Sequence, residues 1–209
     1  VTTPLASSNS ATVRIESSLV NQREGDQDVV LISRLLDLSG EAVATATTET
    51  TVSDGANSVA KQECELLNPS LWSPDEPYLY QLVQSVLVEG VEVDQQIRRI
   101  GIRQMEFSPK WGFKLNGKRL KMKGVCWHHD AGPVGSAVPR DVLVRRMQIL
   151  KAMGCNAIRT AHNPYSPEFY DLCDEFGFLV MNEAFDGWDT PKADHDYGLY
   201  FEEWWERDL

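Results

Sequence analysis

The spacing of hydrophobic residues changes once along this 209-residue chain, near residue 107, and this change limits the possible folds more than any other feature. Before it, apolar and polar residues alternate in short runs such as 13–19 and 80–88, and turn residues lie between these runs. An alternation of period two predicts strands with one buried face. Strands that recur about every 8–12 residues are typical of an antiparallel sandwich of the immunoglobulin type. We therefore expect residues 1–107 to form an all-β, immunoglobulin-like sandwich.

After the change, in residues 108–209, short apolar strands alternate with amphipathic helices. Asn116-Gly117 predicts a hairpin turn near the start of this half. The predicted strands are 120–126, 156–161 and 178–181, and the predicted helices are 140–153 and 167–176. The order β-α-β-α-β implies a parallel sheet with right-handed crossovers, and the apolar strands suggest that both sheet faces are covered. Two domains are therefore expected, 1–107 and 108–209.

Polar side chains follow each of the three predicted parallel strands. In parallel α/β folds, ligands bind at the carboxyl ends of the strands. The candidate site residues, taken strand by strand, are His128, His129 and Asp130, then Arg159, His162 and Asn163, and then Glu183, Asp186 and Trp188. Three of the four histidines of the chain fall in these clusters. We interpret the three clusters as parts of one binding site.

Several of these residues have two interpretations. Because His128 and His129 are adjacent on a strand, they point to opposite faces, so one lines a pocket while the other packs elsewhere. Arg159 lies in an apolar strand and needs an anion nearby. A catalytic carboxylate from a later strand could be that anion. The alternative is a structural ion pair, for which Glu183 is the candidate partner. Asp130 either accepts a substrate hydroxyl or caps a loop.

Two residues suit a carbohydrate ligand. His162, in a His-Asn-Pro sequence with Asn163, is the strongest candidate for a substrate contact. Trp188 has the flat ring that stacks on a sugar face. Asp186 is a weaker candidate in the same segment.

Composition excludes some partners and leaves the compartment open. The formal charge of −11 argues against nucleic acid, because phosphate binding requires clustered Lys and Arg. No apolar run approaches the ~20 residues of a membrane-spanning helix, so no membrane partner is expected. The four cysteines form no C-x-x-C pair and are expected to be buried free thiols. A periplasmic or secreted bacterial location is favoured over the cytoplasm.

Residues 156–181 resemble the first signature of glycoside hydrolase family 2, the family of β-galactosidases, β-glucuronidases and β-mannosidases. The resemblance rests on Asn-Ala-Ile-Arg-Thr-Ala-His-Asn-Pro at 156–164, Phe-Tyr at 169–170 and Gly-Phe-Leu-Val-Met at 177–181. Asn163 stands where the formal pattern has Tyr. Further similarity at 71–80 and 113–130 extends the resemblance over essentially the whole chain. The His-His-Asp and Asn-Glu-Ala-Phe-Asp sequences look most like the β-galactosidase-like members.

This resemblance implies a fold and a role for individual residues. The fold would be an immunoglobulin-like sandwich followed by a truncated (β/α)8 TIM barrel with about three βα units. His128 and His162 would contact hydroxyls of the sugar in the glycone subsite, and Asp130 would accept a further hydroxyl. Arg159 would orient the nucleophile, and Glu183 would line the same pocket. The substrate would be a terminal β-D-galactoside or a related β-glycoside.

The resemblance also implies what the chain lacks. In the family the acid/base glutamate follows the fourth barrel strand and the nucleophile comes later, so both are expected beyond Leu209. We therefore assign no catalytic residue and expect a fragment of a retaining β-glycosidase that is inactive alone. An incomplete barrel exposes apolar faces, which favours self-association. No metal is assigned, although some relatives use Mg²⁺ near the acid that follows the third strand.

Two other functions stay open. A non-catalytic carbohydrate-binding or interaction module centred on the sandwich would use aromatic residues such as Trp72 and Tyr78. These rings would otherwise pack beside their proline-rich turn. A metal-dependent hydrolase is less favoured, because adjacent histidines do not place two ligands on one side of a strand.

Overall fold

The computed structural model describes residues 1–209 and separates into two units, Val1–Lys121 and Met122–Leu209. Seven strands form the larger part of the first unit. They are β1 (Thr2–Ala6), β2 (Ser10–Val20), β3 (Gln27–Leu36), β4 (Ala42–Val52), β5 (Asn57–Leu67), β6 (Tyr80–Val88) and β7 (Val91–Ile100). They build two antiparallel sheets, one in the order β1-β2-β5 and the other in the order β4-β3-β6-β7. Two sheets of three and four strands are the expected immunoglobulin-like sandwich.

The core of the sandwich follows the predicted alternation. Val13 and Ile15 of β2 are buried together with Leu35 of β3 and Leu82 of β6. Trp72 is only 1% exposed, and the guanidinium of Arg103 lies 4.7 Å from its ring. Trp72 therefore packs inside the unit and offers no surface platform for a sugar.

Polar side chains are buried between the two sheets as well. Ser33 donates a hydrogen bond to Gln62 at 2.6 Å, and Gln62 in turn donates to the carbonyl of Leu31 at 3.0 Å. Gln84 completes the group by donating to Ser17 and Ser33 at 2.7 and 3.1 Å. Because buried polar groups are costly without partners, these bonds tie the two sheets together.

A small third sheet extends the first unit past the predicted boundary at 107. It consists of β8 (Met105–Ser108), β9 (Gly112–Leu115) and β10 (Lys118–Arg119). Asn116 and Gly117 have φ of 50° and 75°, which confirms the predicted hairpin turn. The side chain of Asn116 donates to the carbonyl of Trp72 at 3.0 Å. This bond holds the hairpin to the sandwich, so the first unit ends at Lys121.

The second unit contains the predicted parallel sheet. Its strands are β11 (Gly124–His128), β12 (Ala157–Ala161) and β13 (Leu179–Met181), and its helices are α1 (Arg140–Ala152), α2 (Pro167–Phe176) and α3 (Phe201–Asp208). The strands are parallel and lie in chain order. The first strand is predicted four residues too early, because pairing with β12 begins at Gly124 and continues to His128. The N–H of Leu120 instead donates to Phe113 in the hairpin.

Helices cover one face of this sheet only. Trp127 and Ile158 on that face are buried with Leu143, Met147 and Phe169 of α1 and α2. On the other face, Cys126, Arg159 and Met181 lie side by side in register, and Met181 is 63% exposed. The prediction of a sheet covered on both faces is therefore wrong for this chain. The thiol of Cys126, predicted to be buried, is exposed as well.

Two local signals set the limits of α2 as predicted. Pro167 occupies its first turn, where the missing N–H has no intrahelical partner to lose. Gly177 ends the helix in the left-handed conformation at φ 72°, and its N–H donates to the carbonyl of Cys173. None of the helices combines the length and the apolar character that crossing a membrane requires.

Candidate functional site at the strand ends

The parallel register brings the polar clusters of the first two strands together. His128 at the end of β11 pairs with Ala161 of β12, and His162 comes next in the chain. A cis peptide bond joins Ala161 to His162. The rings of His128 and His162 meet edge to face, with their centroids 5.6 Å apart. The two predicted glycone contacts therefore lie side by side.

An open cleft of about 730 Å³ lies at these strand ends. Six of the nine candidate residues line it, namely His129 and the following five: His128, Asp130, His162, Asn163 and Asp186. His129 lines it although adjacent histidines were expected to diverge. Its ring lies against Tyr165, with centroids 4.6 Å apart, because the strand ends at His128 and the alternation ends with it.

Glu183 joins Arg159 and His162 below the cleft. Arg159 Nε donates to Glu183 Oε1 at 2.6 Å, and His162 Nδ1 lies 3.0 Å from Glu183 Oε2. Arg159 also reaches His162 Nδ1 at 3.3 Å. The hydrogen bond from Arg159, followed by that of His162, lowers the pKa of Glu183 below its usual 4.5. Glu183 is therefore an anion at neutral pH, and within this chain it is the partner of Arg159.

The backbone at Glu183 is held by the neighbouring strand. The N–H of Glu183 donates to the hydroxyl of Thr160 at 2.9 Å, and that hydroxyl donates to Asn182 at 3.1 Å. Tyr170 of α2 also donates to Asn182, at 2.6 Å. Thr160 is fully buried. Together these bonds fix the carboxylate that positions His162, whereas Glu183 itself is not part of the cleft wall.

Asp186 and Asp130 present acceptors at the cleft. Asp186 Oδ1 accepts from Lys192 Nζ at 2.6 Å and lies 3.8 Å from His162 Nδ1. The carbonyl of Asp130 accepts a hydrogen bond from Arg146, and Asp130 lines the cleft. Charged and hydrogen-bonding groups of this kind suit a ligand rich in hydroxyls.

Tyr165 is buried and packs against His129 of the cleft wall. Its hydroxyl donates to the carbonyl of Trp127 inside the unit. Burial, with a smaller contribution from the charge of Asp130, raises the pKa of Tyr165 to about 12. The phenol therefore stays a neutral hydrogen-bond donor at physiological pH.

Trp188 does not line the cleft. It is 56% exposed and meets the rings of Phe185 and Phe201 edge to face, with centroids 5.8 and 5.9 Å away. Phe185 and Tyr197 line the cleft instead, with their rings stacked 5.0 Å apart. Sequence reasoning missed both, and also Asp208, because the segment after β13 has no regular period. The Asn-Glu-Ala-Phe-Asp sequence, noted for its family resemblance, is the one signal that could have identified Phe185.

The carboxylates near the third strand already have cationic partners within the chain. Glu183 binds Arg159, and Asp186 binds Lys192. No group of three His, Cys, Asp or Glu side chains lies close enough to hold a metal ion. These residues therefore do not by themselves form a Mg²⁺ site.

Family models account for nearly the whole chain. The model described as glycosyl hydrolases family 2 matches residues 1–103, and the model described as glycosyl hydrolases family 2, TIM barrel domain, matches residues 110–192. The chain belongs to glycoside hydrolase family 2. Its fold is accordingly the family's immunoglobulin-like sandwich, followed by part of the TIM barrel.

Individual relatives agree with this assignment. Beta-galactosidase BoGH2A of Bacteroides ovatus is 43% identical over 209 residues, 100% of this chain and 25% of the relative. The crystal structure of a glycosyl hydrolase family 2 member from Bacteroides cellulosilyticus superposes with a TM-score of 0.95 at 39% identity, covering 99% of this chain and 27% of that one. Bacteroides uniformis beta-glucuronidase gives a TM-score of 0.83 at 27% identity, covering 92% and 23%. The chain thus spans about a quarter of the length of these relatives.

Proposed function

We propose that this chain supplies part of the glycone pocket of a retaining exo-β-glycosidase that removes terminal β-D-galactosides or related β-glycosides. The observation that carries the proposal is the cleft at the carboxyl ends of β11–β13. There, His128, Asp130 and His162 converge on one space, as side chains at the mouth of a parallel barrel do.

The division of roles follows from the contacts. His128, Asp130 and Asn163 offer hydrogen bonds to sugar hydroxyls from the cleft wall. Glu183 and Arg159 act behind them: the carboxylate holds the ring of His162, and the guanidinium holds the carboxylate. Arg159 also reaches toward the open face of the sheet, where it donates to the exposed thiol of Cys126 at 3.3 Å. A nucleophile from a later barrel strand would meet the guanidinium on that face.

The preference for a galactoside rests on resemblance alone. The relative that covers the whole chain is named a beta-galactosidase, whereas a structural relative is named a beta-glucuronidase. A glucuronide carries a carboxylate where a galactoside carries a hydroxymethyl group, so the two would place different demands on the cleft.

Activity assays test the proposal. The 209-residue chain and the full-length enzyme that contains it are each incubated with fluorogenic β-D-galactoside, β-D-glucuronide and β-D-mannoside. We expect the full-length enzyme to turn over the galactoside fastest and the chain alone to show no turnover above background, because retaining hydrolysis needs two carboxyl groups about 5–5.5 Å apart. Turnover by the chain alone, or no β-glycosidase activity in the full-length enzyme, contradicts the proposal.

A further inference from the structure

The strand β7 is an exposed edge of the sandwich. It ends the four-stranded sheet and pairs only with β6, so the backbone groups along its outer side have no partner strand. Nine of its ten residues are exposed, and Ile97 is 53% exposed. A long exposed edge with apolar residues is a template for pairing with another strand.

The charges of β7 are arranged by sign along the strand. Glu92 and Asp94 lie in its first half, and Arg98 and Arg99 lie in its second half. Charges that only protect an edge from aggregation need no such order. An antiparallel copy of the same strand, by contrast, places the acidic half of each copy beside the basic half of the other. The opposite edge, β4, has Glu49 as its one charged residue and lacks this complementarity.

We propose that β7 pairs antiparallel with β7 of a second copy of this chain, with Gln96 of each copy opposite the other on the two-fold axis. In this register Asp94 of each copy lies opposite Arg98 of the other, so the dimer contains this pair twice. Oppositely charged residues directly across two strands stabilise their pairing. The two four-stranded sheets join into one continuous sheet of eight strands.

The regular part of β7 matches this register. A β-bulge interrupts the pairing with β6 between Asp94 and Glu92, and from Asp94 to Ile100 the ladder is regular. Asp94 and Arg98 are four residues apart in this stretch, so their side chains share one face of the sheet. Ile97 lies on the other face, next to Val83 of β6. Pairing with the second copy covers part of the exposed surface of Ile97.

Charge-swap variants of the full 209-residue chain test the proposal by sedimentation velocity over a range of concentrations. Asp94→Arg and Arg98→Asp each place like charges opposite each other twice per dimer, and each should raise the dimer Kd at least about tenfold. The double variant Asp94→Arg/Arg98→Asp restores the pairs and should return the Kd to within about threefold of wild type. Glu49→Arg on β4 is the matched control and should leave the Kd unchanged.

A cross-link tests the register separately. The Cα atoms of directly opposed residues lie about 4.5–5.5 Å apart, within the range of a disulfide. Gln96→Cys should therefore form an intermolecular disulfide under mild oxidation, and the wild-type chain controls for the exposed thiol of Cys126. A monomer at all concentrations overturns the proposal. A dimer Kd that the single variants leave unchanged, or that the double variant does not restore, also overturns the proposal. Association then occurs elsewhere, for example through the open face of the parallel sheet.

Discussion

At the scale of single residues, the interaction between Glu183, Arg159 and His162 controls the site. Each side chain contacts the other two, and the sequence placed all three at strand ends. Their mutual contacts could not be read from the sequence, because a carboxylate from a later strand and an ion pair within this chain were both consistent with Arg159 in its apolar strand. Within this chain the guanidinium of Arg159 forms an ion pair with Glu183 at 2.6 Å, and its contact with a carboxylate from a later strand stays a proposal.

Replacing Glu183 with Gln should flatten the pH dependence of stability. The hydrogen bonds from Arg159 and then His162 lower the pKa of Glu183 in the folded chain, so the unfolded chain binds its proton at a higher pH. The stabilisation by Glu183 is therefore complete above about pH 4.5 and is lost as pH falls through the folded pKa. Urea unfolding of wild type and Glu183→Gln between about pH 3 and pH 7 measures this.

A second variant tests whether the lowered pKa of Glu183, and not the substitution itself, causes the change in pH dependence. Arg159→Met removes the stronger of the two hydrogen bonds that lower the pKa of Glu183, so the gap between the stability of this variant and that of wild type should also narrow as the pH falls. Differences from wild type that stay constant across the pH range would show that Glu183 has the same pKa in the folded and unfolded chains.

Trp188 shows how a residue whose type suits a sugar ligand can lie outside the cleft. Its type and position suited a sugar platform, yet its φ of 51° and its contacts with Phe185 and Phe201 leave it outside the cleft. Such a backbone conformation depends on the path of an irregular loop, and no sequence period encodes that path.

At the scale of elements, periodicity and capping residues were sufficient to predict the strands and helices in most of the chain. The strands and both predicted helices lie within a few residues of their expected limits. Pro167 and Gly177 set the limits of α2 because their backbone preferences are local. The strand β1 was missed, since Thr2–Ala6 is short and mostly exposed, and its pairing with β2 is a tertiary property.

Truncating the centre of α2 should destabilise the second unit. Phe169 is 1% exposed and packs edge to face on Trp127, with ring centroids 5.5 Å apart. Phe169→Ala should cost about 3–5 kcal/mol of unfolding free energy, because it leaves a cavity in the core. Asp171→Ala, on the exposed side of the same helix, should change it by less than about 0.5 kcal/mol. Urea unfolding, monitored by tryptophan fluorescence, measures both changes in unfolding free energy. Equal urea midpoints for wild type and Phe169→Ala would show that Phe169 of α2 contributes little to the stability of the core.

At the scale of the whole molecule, the chain combines a seven-stranded sandwich with three parallel strands whose second face is open. The apolar strands alone predicted a sheet covered on both faces, because they do not reveal how many neighbouring strands are present, whereas the family resemblance implied the open face of an incomplete barrel. It agrees with a chain that matches about a quarter of each relative. The cleft at the strand ends is formed nonetheless, since its residues come from β11 and β12 and from the segments that follow β11, β12 and β13.

The most direct test of the central claim is the kcat/KM of the full-length enzyme for a fluorogenic β-D-galactoside after His162→Ala. His162 lines the cleft, and Glu183 holds its ring. Its loss should lower kcat/KM roughly 10- to 100-fold, which corresponds to the free energy of one hydrogen bond to a charged group. His195→Ala removes an exposed histidine outside the cleft and should leave kcat/KM within about twofold. Equal kcat/KM in wild type and both variants would contradict a glycone pocket at these strand ends.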